Sequence, residues 1–121
     1  MSTKLHATAF AIQRAPISLS TETKAQIDIH TALTKARLSF DREFRLSAED
    51  RIDFIGRDDC SGIGIEVKIS GSSRAIFRQI ERYAEHEEVR ALVLATNRAM
   101  RLPDTINGKP VVVASLGRGW L

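Results

Sequence analysis

The segment at residues 63–69 constrains the fold most, because apolar side chains alternate along it with polar or small ones. Strict alternation is typical of a β-strand that packs one face against a core. The apolar positions are Ile63, Ile65, Val67 and Ile69. The other face carries Glu66 and Lys68, which are two residues apart and therefore leave the strand on the same side, roughly 7 Å from each other.

Periodicity in the rest of the chain predicts an α/β domain. We predict helices at residues 21–37 and 72–85, and further strands at residues 40–46, 51–56, 89–96 and 111–116. In the strand at residues 40–46, alternation places Phe40, Arg42, Phe44 and Leu46 on one face. The order α-β-β-β-α-β, with a final strand, predicts a central mixed sheet flanked by helices in one domain at residues 21–121. Residues 1–20 show no clear period, and we predict an arm that is loose or packs on a partner.

The composition narrows the class of protein. A chain of 121 residues is the size of one domain. Cys60 is the only cysteine, which excludes an intramolecular disulfide and a cysteine-rich zinc site. The formal net charge of +3 permits a nucleic-acid partner without requiring one. The sequence has no apolar run that could span a membrane and no good signal peptide, so we expect a cytoplasmic protein without a membrane partner.

Asp53 indicates a chemical role for the polar face of residues 63–69. It lies in the preceding predicted strand, and the short turn between the two strands predicts antiparallel pairing, with Asp53 beside Glu66. Two adjacent carboxylates repel each other unless a cation lies between them, and their oxygens suit Mg²⁺ or Mn²⁺. Such an ion would activate water for phosphodiester hydrolysis, while Lys68 orients that water or stabilises the developing negative charge. An ordinary half-exposed strand is the alternative interpretation of Glu66 and Lys68.

These residues resemble the motif of the PD-(D/E)xK nuclease superfamily, which has the restriction-endonuclease-like fold. Asp53 is followed after twelve residues by Glu66-Val67-Lys68, although Ile52 stands where the family often has proline. The resemblance implies that Asp53, Glu66 and the backbone carbonyl of Val67 bind the metal and that Lys68 is catalytic. It also implies a core in the order α-β-β-β-α-β.

Two further elements fit the same resemblance. Gln79 and Tyr83 match the Q-x-x-x-Y element of RecB-type nucleases, and helical spacing points Gln79 inward, towards the acidic cluster. A buried glutamine that only satisfies helix packing is the alternative. Glu22 is the candidate for the acidic residue that archaeal Holliday-junction resolvases and virus-type replication-repair nucleases place beside the metal. A favourable charge in the first helical turn would explain Glu22 equally well.

Arginines supply the candidate nucleic-acid contacts. Arg74, Arg78 and Arg82 recur every four residues along the second predicted helix and form a positive stripe suited to a phosphate backbone. A solvated helix face, paired with neighbouring glutamates, is the alternative. Arg98 is a further candidate, and Trp120 is predicted to lie in the core or in an interface.

The leading hypothesis is a Mg²⁺- or Mn²⁺-dependent endonuclease that acts on DNA as a homodimer and uses no small-molecule cofactor. A chain of this size leaves no room for a separate sequence-reading domain. We therefore expect structure-selective or weakly sequence-specific cleavage, in repair, recombination, or a phage or mobile element. Two alternatives remain open: a non-catalytic nucleic-acid-binding or assembly module with a nuclease fold, and a nuclease subunit of a larger complex.

Overall fold

A computed structural model describes residues 2–120 and confirms the predicted α/β class with a mixed sheet. Within these residues the helices are α1 (Ser2–Arg14), α2 (Glu22–Lys35) and α3 (Ser73–Tyr83). The strands are β1 (Phe40–Arg45), β2 (Arg51–Gly56), β3 (Ile63–Lys68), β4 (Ala91–Thr96), β5 (Thr105–Ile106) and β6 (Lys109–Ser115). Two 3₁₀ turns, Asp58–Cys60 and Arg118–Trp120, complete the regular structure of this part of the chain.

The six strands form one open sheet in the order β1-β2-β3-β4-β6-β5. The first three strands pair antiparallel, whereas β3, β4 and β6 run parallel, and β5 returns antiparallel to β6. The parallel strands end together, because Lys68 pairs with Thr96 and Thr96 pairs with Ser115. We call the rim formed by these three residues the carboxyl edge. Open α/β sheets bind their ligands at this kind of edge.

Helices cover both faces of the sheet. On one face α1 and α2 bury a core that includes Ile12, Ile29, Leu33, Ile65 and Val67, which we call the α1/α2 core. On the other face α3 buries a core that includes Ile52, Ile76, Ile80, Leu92 and Leu94, which we call the α3 core. The central strand β4 alternates between the two cores and is buried throughout, as expected for a strand with helices on both sides.

Polar caps fix where α2 and α3 begin. The hydroxyl of Thr21 accepts a hydrogen bond from the amide of Lys24 at 3.1 Å, which satisfies a free amide at the start of α2. The hydroxyl of Ser72 accepts from the amide of Ala75 at 3.1 Å and does the same for α3. Both predicted helices are therefore present, and both end slightly earlier than the sequence predicted.

The short strand β5 was not predicted. Asn107 and Gly108 both have positive φ, at 55° and 76°, and join β5 to β6 as a two-residue hairpin. Asparagine followed by glycine is favoured in such turns because both positions need a left-handed backbone. The sequence analysis treated this pair only as a break before the last strand, since a two-residue strand leaves no periodicity to detect.

The N-terminal segment, predicted as an arm that is loose or packs on a partner, forms a helix. Residues 2–14 form α1, which places Leu5, Ala9 and Ile12 in the α1/α2 core of its own chain. The buried face also contains Thr8, whose hydroxyl donates to the carbonyl of Lys4 at 2.7 Å and thereby satisfies itself within the helix. A threonine and small alanines on the buried face concealed the helical period in the sequence.

Replacing Ile12 by alanine tests whether α1 is part of the folded domain. Ile12 is fully buried, so we expect the free energy of unfolding to fall by about 2–4 kcal/mol in urea denaturation. Phe10 lies on the exposed side of the same helix, and Phe10→Ala is the matched control, with an expected change below about 1 kcal/mol. Equal and small effects at both positions would contradict the packing of α1 on the sheet.

Candidate active site

The strands β1 and β2 each rotate partway along their length, so that their side chains change from one core to the other. Phe40 lies in the α1/α2 core, whereas Phe44, four residues later on β1, packs against the α3 core. On β2 the same change separates Phe54, in the α1/α2 core, from Ile52, in the α3 core. Alternate residues of a regular strand share a face, so the prediction that residues 40–46 present one continuous apolar face is wrong. The left-handed φ of 54° at Glu43 marks where β1 turns.

The turn in β2 separates it from β3 at Asp53 and Glu66. The ladder between the strands runs through Ile55 with Gly64 and Phe54 with Ile65. At the next position the hydrogen bonds between the two backbones are replaced by hydrogen bonds from backbone amides to carboxylate side chains. Asp53 Oδ2 accepts a hydrogen bond from the amide of Val67 at 2.8 Å, and Glu66 Oε1 accepts from the amide of Asp53 at 3.3 Å. Each acid is thus anchored to the other acid's strand.

Burial and mutual repulsion make this pair of acids hard to ionise together. Glu66 is only 3% exposed, and its burial, followed by the charge of Asp53, raises its pKa to about 8. Burial also raises the pKa of Asp53, against the stabilising hydrogen bond from Val67 and the charge of Lys68. The Lys68 ammonium lies 3.7 Å from Glu66 Oε2 and partly offsets both shifts. Without a further cation, the pair retains a proton at neutral pH.

Tyr83 and Gln79 form the floor of the site on the α3 side. The Tyr83 hydroxyl donates to the carbonyl of Arg51 at 3.0 Å and lies 3.4 Å from Glu66 Oε2. The Gln79 amide donates to the Tyr83 oxygen at 2.8 Å, so Gln79 is joined to the acidic cluster through Tyr83. Burial, and then the charge of Glu66, raises the pKa of Tyr83, which keeps its hydroxyl protonated as a donor.

Glu22 closes the site from the opposite side of the sheet. Its Oε2 accepts a hydrogen bond from the amide of Ile69 at 3.1 Å, which ties the first turn of α2 to the end of β3. Its charge still reaches Asp53, where it raises the pKa of that carboxyl. One oxygen of Glu22 is therefore used structurally, while its charge adds to the negative charge of the site.

Arg82 differs from the other arginines of its predicted stripe. Its Nε and Nη2 lie 3.2 and 3.1 Å from Oδ1 of the buried Asp50, whose Oδ2 is 3.0 Å from His86 Nε2. Arg82 thus pairs with an acid on the turn before β2, not with neighbouring glutamates. Arg74 and Arg78 are exposed along α3, with Arg74 in its first turn.

Arg98 and Arg42 differ in their exposure and in their hydrogen bonds. Arg98 is exposed just after β4, and its amide donates to the Thr96 hydroxyl at the carboxyl edge. Arg42 is half-buried; its Nη2 donates to Gln26 Oε1 at 3.1 Å. Its Nε is buried without a hydrogen-bond partner within residues 2–120. The contact between Arg42 and Gln26 was not predicted from the sequence, because only the fold brings Gln26 of α2 against β1.

The donor set fits a hard divalent cation that keeps part of its water shell. Asp53 and Glu66 supply two carboxylates, and the carbonyl of Val67 lies between Glu66 and Lys68 on the chain. Mg²⁺ is commonly held by one or two carboxylates with water and phosphate oxygens as the other ligands. In residues 2–120, no three His, Cys, Asp or Glu side chains form a group that could hold a metal by themselves. Any ion here would therefore depend on the acid pair with carbonyl and water oxygens.

Comparison of the chain with protein-family models, with curated proteins and with solved structures finds no match. Among the helices of residues 2–120, none combines the length and the apolar character that crossing a bilayer requires.

Replacing Glu66 by glutamine tests the strain in the acid pair. A carboxyl whose pKa is raised on folding stabilises the fold fully below its unfolded pKa of about 4.5, and this stability is lost as pH rises through about 8. We therefore expect metal-free Glu66→Gln to unfold with at least about 2 kcal/mol more free energy than wild type at pH 8, and with little difference at pH 4.5.

The control for this comparison is Glu81→Gln, the same chemical change on the exposed face of α3. Urea denaturation in EDTA at several pH values measures both variants. A Glu66→Gln protein that loses stability with pH as steeply as wild type would show that Glu66 ionises freely in the fold.

Proposed function

We propose that this protein is a divalent-metal-dependent endonuclease that hydrolyses DNA phosphodiester bonds. The observation that carries the proposal is the meeting of Asp53 and Glu66 where β2 separates from β3, with the Lys68 ammonium 3.7 Å from Glu66. Two buried carboxylates that repel each other favour the binding of a cation or a proton between them. Perturbed acids near the edge of a sheet are typical of catalytic sites.

The proposed metal ligands are Asp53, Glu66 and the carbonyl of Val67, with Mg²⁺ or Mn²⁺ as the ion. When bound, such an ion polarises a phosphoryl oxygen and lowers the pKa of a water molecule. Lys68 holds or orients the attacking water, or stabilises negative charge on the phosphate, from its position beside Glu66. Glu22 adds negative charge behind Asp53.

Tyr83 and Gln79 serve as positioning residues in this proposal. The Tyr83 hydroxyl donates to the Arg51 carbonyl, accepts from Gln79, and lies 3.4 Å from Glu66 Oε2, so it confines that oxygen from the α3 side. A carboxylate held at both oxygens keeps its orientation when substrate enters, which lowers the cost of reaching the reactive geometry.

The topology supports assignment to the PD-(D/E)xK superfamily. From α2 to β4 the elements follow the order α-β-β-β-α-β, and β6 adds the final strand. The motif residues lie at the positions that the superfamily resemblance implies, on β2 and β3 between α2 and α3. The additional helix α1 extends this core on the face of the sheet that α2 covers.

The surface favours contact with a phosphate backbone more than reading of base sequence. The exposed arginines Arg74, Arg78 and Arg98 are the proposed phosphate contacts, whereas Arg82 chiefly holds Asp50. We propose structure-selective or weakly sequence-specific cleavage by a cytoplasmic homodimer. Repair, recombination, or the life of a phage or mobile element would suit this activity.

A non-catalytic binding or assembly module is the second candidate. It is favoured by the raised pKa of Glu66, since a protonated Glu66 lets the acid pair persist without any ion. A nuclease subunit that needs a partner protein is a further form of the first proposal. These possibilities differ in whether the isolated protein binds metal and cuts DNA.

A cleavage panel tests the proposal. Supercoiled plasmid, a four-way junction and a single-stranded oligonucleotide are incubated with the protein in Mg²⁺, Mn²⁺ or EDTA. We expect cleavage of at least one substrate with Mg²⁺ or Mn²⁺ and none with EDTA. Binding of DNA without cleavage, together with no calorimetric signal for Mn²⁺, would favour the binding module and overturn the enzyme proposal.

A further inference from the structure

The second 3₁₀ turn displays the single tryptophan of the chain on the surface. Trp120 is 64% exposed, so of the two predicted locations, the core or an interface, the structure excludes the core. Its indole N–H donates to the carbonyl of Ile17 at 2.9 Å, which satisfies the only polar atom of the ring. A large planar surface therefore faces solvent without needing a polar partner.

This tryptophan sits on a closely packed support. A Cβ atom built on Gly119 would lie 2.1 Å from the carbonyl oxygen of Ala15, so only glycine lets the turn approach the end of α1 this closely. Leu19 packs close to Gly117 at the start of the same turn. A ring held in this way loses little conformational freedom when a ligand stacks on it.

The turn lies at the same end of the sheet as the candidate active site. Ser115 at the carboxyl edge donates its amide to Gln13 Oε1 of α1 at 3.0 Å, and Trp120 follows five residues later. Ser115 and Lys68 are separated by the single strand β4, which corresponds to roughly 10 Å between the ends of β3 and β6. A ligand that crosses the carboxyl edge would meet both Lys68 and the turn that carries Trp120.

The surroundings of Trp120 are positively charged. Arg14 and Arg118 directly adjoin Ala15 and Gly119, the two residues in close contact, and both arginines are exposed. The Arg14 guanidinium lies 5.4 Å from the centroid of the Phe10 ring, which is itself 60% exposed. Exposed aromatic rings beside arginines match a partner that offers flat bases and phosphates together.

We infer that Trp120 is a stacking platform for an unpaired base of a single-stranded nucleic acid whose phosphates are met by Arg14 and Arg118. The faces of bases in a duplex are already stacked on their neighbours, so a single strand, a flap or an open junction offers this surface and an intact duplex does not. A second copy of the chain fits less well, because a twofold contact through this patch would bring the same arginines together.

This assignment deepens the proposed function by naming the substrate class. Its link to cleavage rests on the proposed endonuclease activity, whereas the binding step does not. A nuclease with this platform would cut DNA that has an unpaired segment near the scissile bond.

Intrinsic fluorescence tests the binding step directly, because all tryptophan emission comes from Trp120. A thymidine oligonucleotide and a blunt duplex of equal length are titrated into the full chain in EDTA. We expect the single strand to quench the emission in a saturable way and the duplex to leave it largely unchanged. No quenching by the single strand, or equal quenching by the duplex, would overturn the inference.

Variants of Trp120 test the contribution of stacking in a binding assay with a dye-labelled single strand. We expect Trp120→Ala to weaken binding about tenfold and Trp120→Phe to retain most of it, since phenylalanine keeps a flat ring. Ile27→Ala, at an exposed apolar residue of α2, is the control and should leave binding within about twofold. Emission that shifts with protein concentration alone, without a response to the single strand, would assign the patch to a second copy.

The two proposals fail in different ways. Quenching by single strands in a protein that cuts nothing would leave the platform in place and remove the endonuclease. Cleavage of single strands and of intact duplex at equal rates, without quenching, would leave the endonuclease and overturn the platform.

Discussion

Asp53→Asn will lower the rate of metal-dependent DNA cleavage by at least about 1000-fold. The substitution removes one of the two anionic oxygen donors of the proposed ion site, and loss of one such electrostatic group costs several kcal/mol in the transition state. Asparagine still offers an oxygen to the amide of Val67, so the link between β2 and β3 is kept. Initial rates on the best substrate of the cleavage panel measure the effect.

Asp59→Asn is the matched control for this prediction. It makes the same change of charge on an exposed 3₁₀ turn, where Asp59 makes a 4.0 Å ion pair with Lys4. We expect its rate to lie within about twofold of wild type. Lys68→Met should lose cleavage nearly as severely as Asp53→Asn while remaining folded by circular dichroism. A fully active Asp53→Asn protein would remove β2 from the catalytic machinery.

The affinity for Mn²⁺ will rise about 50-fold between pH 6 and pH 8. A metal ligand must lose its proton, and the pKa of Glu66 is raised to about 8 by burial and by Asp53. Below that value each pH unit lowers the fraction of ionised Glu66 about tenfold, so the apparent affinity falls in the same proportion. Isothermal titration calorimetry at several pH values gives the slope and the number of protons released.

Two glutamine variants test whether the pH dependence of the Mn²⁺ affinity arises from Glu66. Glu66→Gln should lose most of the affinity and most of the pH dependence, whereas Glu81→Gln on the exposed face of α3 should titrate like wild type. An affinity that does not change with pH in the wild-type protein would mean that Glu66 does not bind the ion or is already ionised at pH 6.

Local periodicity was enough to predict the elements that build the central part of the fold. The strands β2 and β3 and the helix α3 were predicted from alternation, turn residues and helical spacing, and the structure places Asp53, Glu66 and Tyr83 together as that order requires. Spacing could do this because neighbouring strands joined by a short turn have few ways to pair.

Features that depend on distant contacts were not accessible from the sequence. The reversal of β1 and β2 near Glu43 arises from packing against two different cores, which a regular alternating pattern does not reveal. The pairing of Arg82 with Asp50 joins residues 32 positions apart. The exposure of Trp120 depends on how tightly Gly119 meets the end of α1.

Between β2 and β3, hydrogen bonds to carboxylates replace those of the backbone ladder. This replacement affects which substitutions the protein tolerates during evolution. Asp53 and Glu66 each accept a backbone hydrogen bond between the strands as well as being the candidate ion ligands, so a substitution that removes either acceptor oxygen would weaken the sheet even in a descendant that no longer performs chemistry. Lys68 does not link the two strands in this way, because within residues 2–120 its ammonium contacts Glu66, at 3.7 Å, on its own strand. Retention of the lysine, more than retention of the two acids, would therefore distinguish working descendants from inherited scaffolds.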